Sequence, residues 1–149
     1  MRTVVQRVLE AGVSVGGDCI GSIGRGLMVL VGVHSDDGAT DVEYIADKIV
    51  NLRIFEDGDG KMNLSLQDVG GAALIVSQFT LYGDARKGRR PSFTEAAGGD
   101  SARSLYEGVC DAVRNSGVPV QTGAFGEMME VRMVNDGPVT ILLDSRRGF

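Results

Sequence analysis

Apolar and polar residues alternate from Arg2 to Val15, with Val4, Val8, Val13 and Val15 carrying the pattern, which predicts one long strand over 2–15. Gly16-Gly17-Asp18 supplies a hairpin turn into a second strand, Cys19–Ile23, and Gly24-Arg25-Gly26 turns the chain again. Leu27 to Val33 is an unbroken apolar run between turn signals, so it reads as a strand covered on both faces. Three strands in succession predict a meander.

The period then changes. Val42, Ile45, Ala46, Ile49 and Val50 recur at helical spacing, with Thr40 as N-cap and Glu43 completing a capping box. Asp57-Gly58-Asp59-Gly60 has the composition of a calcium loop but lacks its later ligand positions and closing glutamate, so it reads as a hairpin turn. Leu74-Ile75-Val76 opens another buried strand that runs into Ser77-Gln78-Phe79-Thr80, and a polar loop covers 83–91. A second helix over Ser101–Asn115 presents Leu105, Val109, Ala112 and Val113, and Gly117 ends it. Two last strands, 127–135 and 138–144, flank Asp136-Gly137. This order lacks repeating βαβ units. It predicts a single α+β domain over 1–149: largely antiparallel mixed sheets, barrel-like or in ββα layers, with two main helices packed on one side.

Composition changes this picture little. A chain of 149 residues with 43% hydrophobic content can build a core without disulfides or metals. Cys19 and Cys110 lie far apart and read as reduced thiols. No apolar run is long enough to span a bilayer and no signal segment opens the chain, so no membrane partner and a cytoplasmic location are expected. Charge matters more. The net charge of −5 argues against general nucleic-acid binding and against DNA as a partner. Yet Arg86, Lys87, Arg89 and Arg90 lie within five residues, a pattern that suits brief contact with a few phosphates as well as it suits a solvated loop.

Candidate chemistry is narrowed first by what is missing. His34 is the only histidine, so a Ser-His-Asp triad has one possible base and nothing places it near a nucleophile. Metal sites of His and Cys are starved of ligands, no phosphate loop is present, and no cofactor or metal is expected. What remains is polarity where strands should be apolar. Ser77, Gln78 and Thr80 either face a cleft or mark a strand end emerging into solvent. Pro138 opens an apolar strand, although proline rarely sits inside a sheet. Asn135-Asp136-Gly137-Pro138 is either a turn before an edge strand or a rigid corner offering its carbonyl groups to a ligand.

Those two segments carry a resemblance. Ser77-Gln78-Phe79-Thr80-Leu81-Tyr82-Gly83-Asp84, followed by Arg86 to Phe93, resembles the SQxxL signature region of D-aminoacyl-tRNA deacylases, and Asn135-Asp136-Gly137-Pro138-Val139-Thr140 resembles their NxGP[V/F]T signature. The likeness extends through Val5–Val8, Asp47–Phe55 and Lys61–Ser65. It implies hydrolysis of D-aminoacyl-tRNA by a homodimer with active sites at the subunit interface. It also implies that Gly137-Pro138 is cis and projects into the partner's site as a backbone filter against L substrates, with glycyl-tRNA accepted. Ser77, Gln78, Thr80, Gly137 and Pro138 are then the expected catalytic residues. Phe79, Asn135, Val139, Thr140 and Arg7 are expected at the substrate, with a structural role favoured for Arg7, and Arg86, Lys87, Arg89 and Arg90 at the tRNA. Two mechanisms follow: Thr80 as nucleophile, or the favoured one, in which the protein positions the ester while the terminal 2′-hydroxyl assists water. A non-catalytic RNA- or aminoacyl-binding dimer and a hydrolase of free D-amino acid esters are the competing readings.

Overall fold

The computed structural model describes residues 1–149. Its elements are β1 (Arg2–Val15), β2 (Asp18–Ile23), β3 (Gly26–Gly32), α1 (Ala39–Asn51), β4 (Phe55–Glu56), β5 (Met62–Leu64), β6 (Ala72–Ser77), a 3-10 turn (Phe79–Tyr82), α2 (Gly99–Asn115), β7 (Val120–Thr122) and β8 (Glu130–Asp144).

The expected meander does not form. β2 and β3 lie end to end along one edge of β1, because their registers join without offset: Ala11 faces Ile23 and, three residues earlier, Val8 faces Gly26. Gly24-Arg25 is therefore an interruption in one long return strand and not a turn between neighbours. The other edge of β1 is taken by β8, so the strand is paired on both sides. β3 continues the sheet through parallel β6 and then parallel β7. The sheet curls until β2 meets β7, where a Cβ on Gly21 would sit 3.0 Å from the Thr122 carbonyl oxygen. The result is a mixed sheet nearly closed into a barrel, with a second small sheet formed by β4 and β5.

Curling explains why β3 and β6 read as continuous apolar runs. Leu27, Val29, Val31 and Ile75 face the helices, packing with Ile45, Ile49, Tyr106, Val109 and Val113. Met28, Leu74 and Val76 face the interior of the curl with Val8, Val13 and Ile23. Each fully buried aliphatic side chain contributes about 1.5–3 kcal/mol, so both faces are strongly specified.

Both helices start earlier than expected. α1 begins at Ala39 with Gly38 as N-cap, not Thr40, because the Asp41 carboxylate reaches back to accept the Gly38 N–H at 2.9 Å. α2 runs two residues further back than expected and ends before Gly117, whose φ of +96° suits glycine. The Asp57 turn is the predicted hairpin: its Oδ1 accepts the amides of Asp59 at 2.9 Å and Lys61 at 3.1 Å.

The last two predicted strands are one. β8 runs unbroken from Glu130 to Asp144, with the Gly137–Pro138 bond cis inside it. Gln6 pairs with Thr140 and Val8 with Asn135, so residues 136–139 stand opposite Arg7 alone. The corner is a bulge thrown out of a continuous strand, not a hairpin.

Candidate active site

A cavity of about 800 Å³ lies beyond the carboxyl ends of β3 and β6. Val31 and Val76 form its floor, and Ser77 to Thr80, Phe93, the start of α2 and the segment Phe125–Met129 form its walls. The polar interruption of β6 therefore faces a cleft. The strand ends at Ser77, the Gln78 N–H donates to the Val31 carbonyl at 2.7 Å, and the chain winds into the 3-10 turn. Gly32 makes room for this shelf, since a Cβ there would lie 2.9 Å from the Gln78 carbonyl oxygen. Gln78 Nε2 donates to the Thr80 hydroxyl. The N–H groups of Phe79 and Thr80 open the turn, where a helix offers its first amides no acceptor of its own. Phe79 is half exposed and meets the edge of Phe93 at 5.2 Å between ring centroids.

Across the cavity, Tyr106 from α2 donates its hydroxyl to the Ile75 carbonyl at 2.7 Å, and burial raises its pKa. Glu127 is the one ionisable carboxylate on the lining, which is otherwise mostly apolar and aromatic. Sequence reasoning missed this second wall: Tyr106, Phe125, Glu127, Met128 and Met129. Its one legible signal was apolar side chains in the glycine-bearing stretch Gly123–Gly126, where a loop has no reason to be hydrophobic unless it covers something. A Cβ on Gly123 would lie 2.6 Å from Met129 Sδ, so that glycine lets the wall close.

The second signature lies elsewhere. Within one chain Asn135, Gly137, Pro138, Val139, Thr140 and Arg7 do not line the cavity, which receives from this end of the chain only Val131 at the start of β8 and Met129 just before it. Gly137, with φ +118°, and Pro138 are exposed. Arg7 is buried beneath them. Its Nε lies 3.0 Å from Asp136 Oδ2 and its Nη1 donates to the Ile54 carbonyl at 2.8 Å. A guanidinium so enclosed braces the corner from inside the same chain.

The basic loop is exposed throughout, yet its four charges are not equivalent. Asp84 takes Arg86 in a fork, Nε to Oδ1 and Nη2 to Oδ2, both at 2.8 Å. Those hydrogen bonds hold the Asp84 carboxyl at a pKa of about 2. Lys87, Arg89 and Arg90 have no such partner. His34 lies outside the cavity, with its Nδ1 accepting the Asp36 N–H at 3.0 Å and its ring edge on Tyr82.

Fold and site define a small α+β protein with an aromatic-walled cleft and a projecting backbone corner. The family described as D-Tyr-tRNA(Tyr) deacylase matches residues 4–144. A D-aminoacyl-tRNA deacylase of Bacillus licheniformis is 62% identical over 98% of this chain and 99% of its own length. One of Anaeromyxobacter dehalogenans is 60% identical over 100% of both chains. Among solved structures, the c-Myc DNA Unwinding Element Binding Protein is similar with a TM-score of 0.91 and 42% identity, over 97% of this chain and 98% of its own. The fold also matches one described as a probable eukaryotic D-amino acid tRNA deacylase, with a TM-score of 0.79 at 21% identity, over 95% of this chain and 97% of the other. The chain belongs to the D-Tyr-tRNA(Tyr) deacylase family, and as a deacylase it is a hydrolase of an ester bond.

Proposed function

We propose that this chain hydrolyses the ester joining a D-amino acid, or glycine, to the 3′ end of tRNA, as a homodimer in which each site combines the cavity of one subunit with the Gly137-Pro138 corner of the other. One observation carries this reading: the chain has a cavity without the corner and a corner without a cavity. Each half is incomplete alone, and a two-fold assembly supplies the missing half to both sites. The outer edge of β8 has no strand partner, and Val134 and Leu142 along it are about half exposed, which supports contact with a second copy.

In this arrangement Ser77, Gln78 and Thr80 position the ester, with Phe79 beside it. The amides of Phe79 and Thr80 at the start of the turn receive the oxyanion as water attacks the carbonyl carbon; each such donor is worth about 10²–10³ in rate. The bond to the ribose oxygen then breaks, and the neighbouring 2′-hydroxyl relays the proton from the attacking water to that leaving oxygen. Water and not Thr80 is the nucleophile in this reading, which is supported by a Thr80 hydroxyl that accepts from Gln78 Nε2 and has no base beside it. Gly137-Pro138, flanked by Val139 and Thr140, occupies the space an L side chain needs. Exclusion by main chain can exceed the roughly 10–200-fold that pocket contacts usually provide. Glycine has no side chain to exclude and is accepted. The cationic loop meets the acceptor end; a net charge of −5 suits such local contact better than a duplex. The activity belongs to translation quality control in the cytoplasm.

The test is single-turnover deacylation of D-Tyr-tRNA, L-Tyr-tRNA, glycyl-tRNA and a free D-Tyr ester. Cleavage of the first and third only is expected. Absence of turnover on every substrate would favour a binding protein, and cleavage of the free ester alone a different hydrolase. Mixing an inactive cavity variant with an inactive corner variant should restore about a quarter of wild-type activity, because half the dimers then carry one intact site. No restoration would refute the shared site.

A further inference from the structure

At the corner the sheet has lost its ladder, and one side chain stands in for it. Residues 136–139 lie outside the pairing between β1 and β8, which leaves carbonyl groups on both strands without their usual partners. Asn135 Nδ2 donates one hydrogen to the Arg7 carbonyl at 2.9 Å and the other to the Val139 carbonyl at 3.1 Å. Its Oδ1 faces the Thr140 hydroxyl at 3.5 Å, and that hydroxyl accepts from Gln6 Nε2 at 3.4 Å. A carboxamide has only two N–H donors. Both are spent on backbone, so none remains for a ligand.

The bonds are also well placed. Arg7 lies on the strand opposite the bulge, and Val139 is the last bulged residue before pairing resumes at Thr140. Asn135 therefore ties the two ends of the excursion together and to the neighbouring strand. Arg7 holds the middle through Asp136, and a Cβ on Gly137 would lie 3.2 Å from its Nη2. Side chain above and guanidinium below leave the corner little freedom to tilt.

We infer that Asn135 is a positioning residue for stereochemical discrimination: it sets the aim of the Gly137-Pro138 corner and does not itself touch substrate. The inference rests on the proposed role of that corner as the filter. A steric filter fails when it moves by a fraction of an ångström, whereas a binding contact that weakens only slows the reaction.

The test compares Asn135→Asp and Pro138→Ala with wild type, measuring single-turnover rate constants on D-Tyr-tRNA and L-Tyr-tRNA. Asp keeps the volume but turns two donors into acceptors facing carbonyl oxygens. The D-to-L ratio of rate constants should fall about tenfold or more in both variants, through faster cleavage of L-Tyr-tRNA. This ratio does not depend on the fraction of enzyme folded, so a merely structural role leaves it unchanged. A collapse for Pro138→Ala with an unchanged ratio for Asn135→Asp overturns the inference and leaves the filter standing. An unchanged ratio for Pro138→Ala overturns the filter and, with it, the route proposed for Asn135, whatever Asn135→Asp does. If Asn135→Asp does not fold, Asn135→Ser keeps one donor and should give a smaller fall in the ratio; an unchanged ratio there counts against the inference equally.

Discussion

Replacing Thr80 by valine separates the two mechanisms open to this site. The substitution keeps the β-branched shape and removes the hydroxyl. In the folded chain that hydroxyl makes one hydrogen bond, accepted from Gln78 Nε2, on an exposed residue. Loss of one neutral hydrogen bond costs about 0.5–1.5 kcal/mol, which corresponds to roughly a 2- to 13-fold fall in rate if the whole loss is felt in the transition state. Removal of a covalent nucleophile costs far more, on the order of 10⁴-fold or greater. The ranges do not overlap. The assay is single-turnover release of D-tyrosine from labelled D-Tyr-tRNA with enzyme in excess, so binding and product release do not mask chemistry. Thr80→Val should retain at least about a tenth of the wild-type rate constant, while a substrate ending in 2′-deoxyadenosine should react far more slowly with either enzyme. A fall beyond about 10³-fold, or an acyl group trapped on Thr80 of the wild type, would refute the water mechanism.

Other consequences can be checked directly. Substitution of Lys87, Arg89 or Arg90 by alanine should flatten the dependence of log K on log salt for tRNA binding, by about 0.7 per lost phosphate contact; Arg86→Ala should change it much less, because Asp84 already holds that guanidinium. Iodoacetamide at neutral pH should modify exposed Cys19 and spare Cys110, which is 3% exposed with a pKa pushed up by burial to about 11; labelling of both in folded protein would contradict this. The raised pKa favours the protonated thiol in the fold, so stability should fall as pH rises from the ordinary value of 9 towards 11. Urea titrations of Cys110→Ala should show a shallower loss over that window, most clearly between pH 9 and 10, because the buried Tyr82 and Tyr106 add their own loss from their ordinary value of 10 upward. Tyr106→Phe should cost only about 0.5–1.5 kcal/mol in urea unfolding, since the Ile75 carbonyl keeps the Gly123 N–H at 3.3 Å.

Most secondary structure was legible because it rests on local periodicity. The apolar pattern of β1 and the helical spacing from Val42 to Val50 each point to one element; the helix buries one face, whereas β1 buries Val5 on the helix side and Val8, Ala11 and Val13 inside the curl. What escaped depends on partners distant in sequence. Gly24-Arg25 looks like a turn until β1 is seen to be long enough to pair β2 and β3 in succession. Thr40 and Glu43 spell a capping box, but Asp41 reaches Gly38 first. Asp136-Gly137 looks like a hairpin because the residue that holds the strand together across it, Asn135, does so through Arg7, 128 positions away. The polar shelf at Ser77–Thr80 was visible as misplaced polarity, whereas its opposite wall is apolar side chains on a loop, a pattern the chain offers no means of orienting.

The double pairing of β1 also governs when the fold can form. Its companion along one edge is the return strand that follows at once, but the other edge waits for β8, which joins Arg2 to Asp144 and Ser14 to Glu130. Contacts of such sequence separation are late and slow, since the loop they close spans nearly the whole chain. During synthesis the first strand therefore emerges long before its second neighbour exists, with one edge open to chance pairing. The strand that finally covers it also carries the Gly137-Pro138 corner, so the chain acquires its protected edge and that corner in the same closing step.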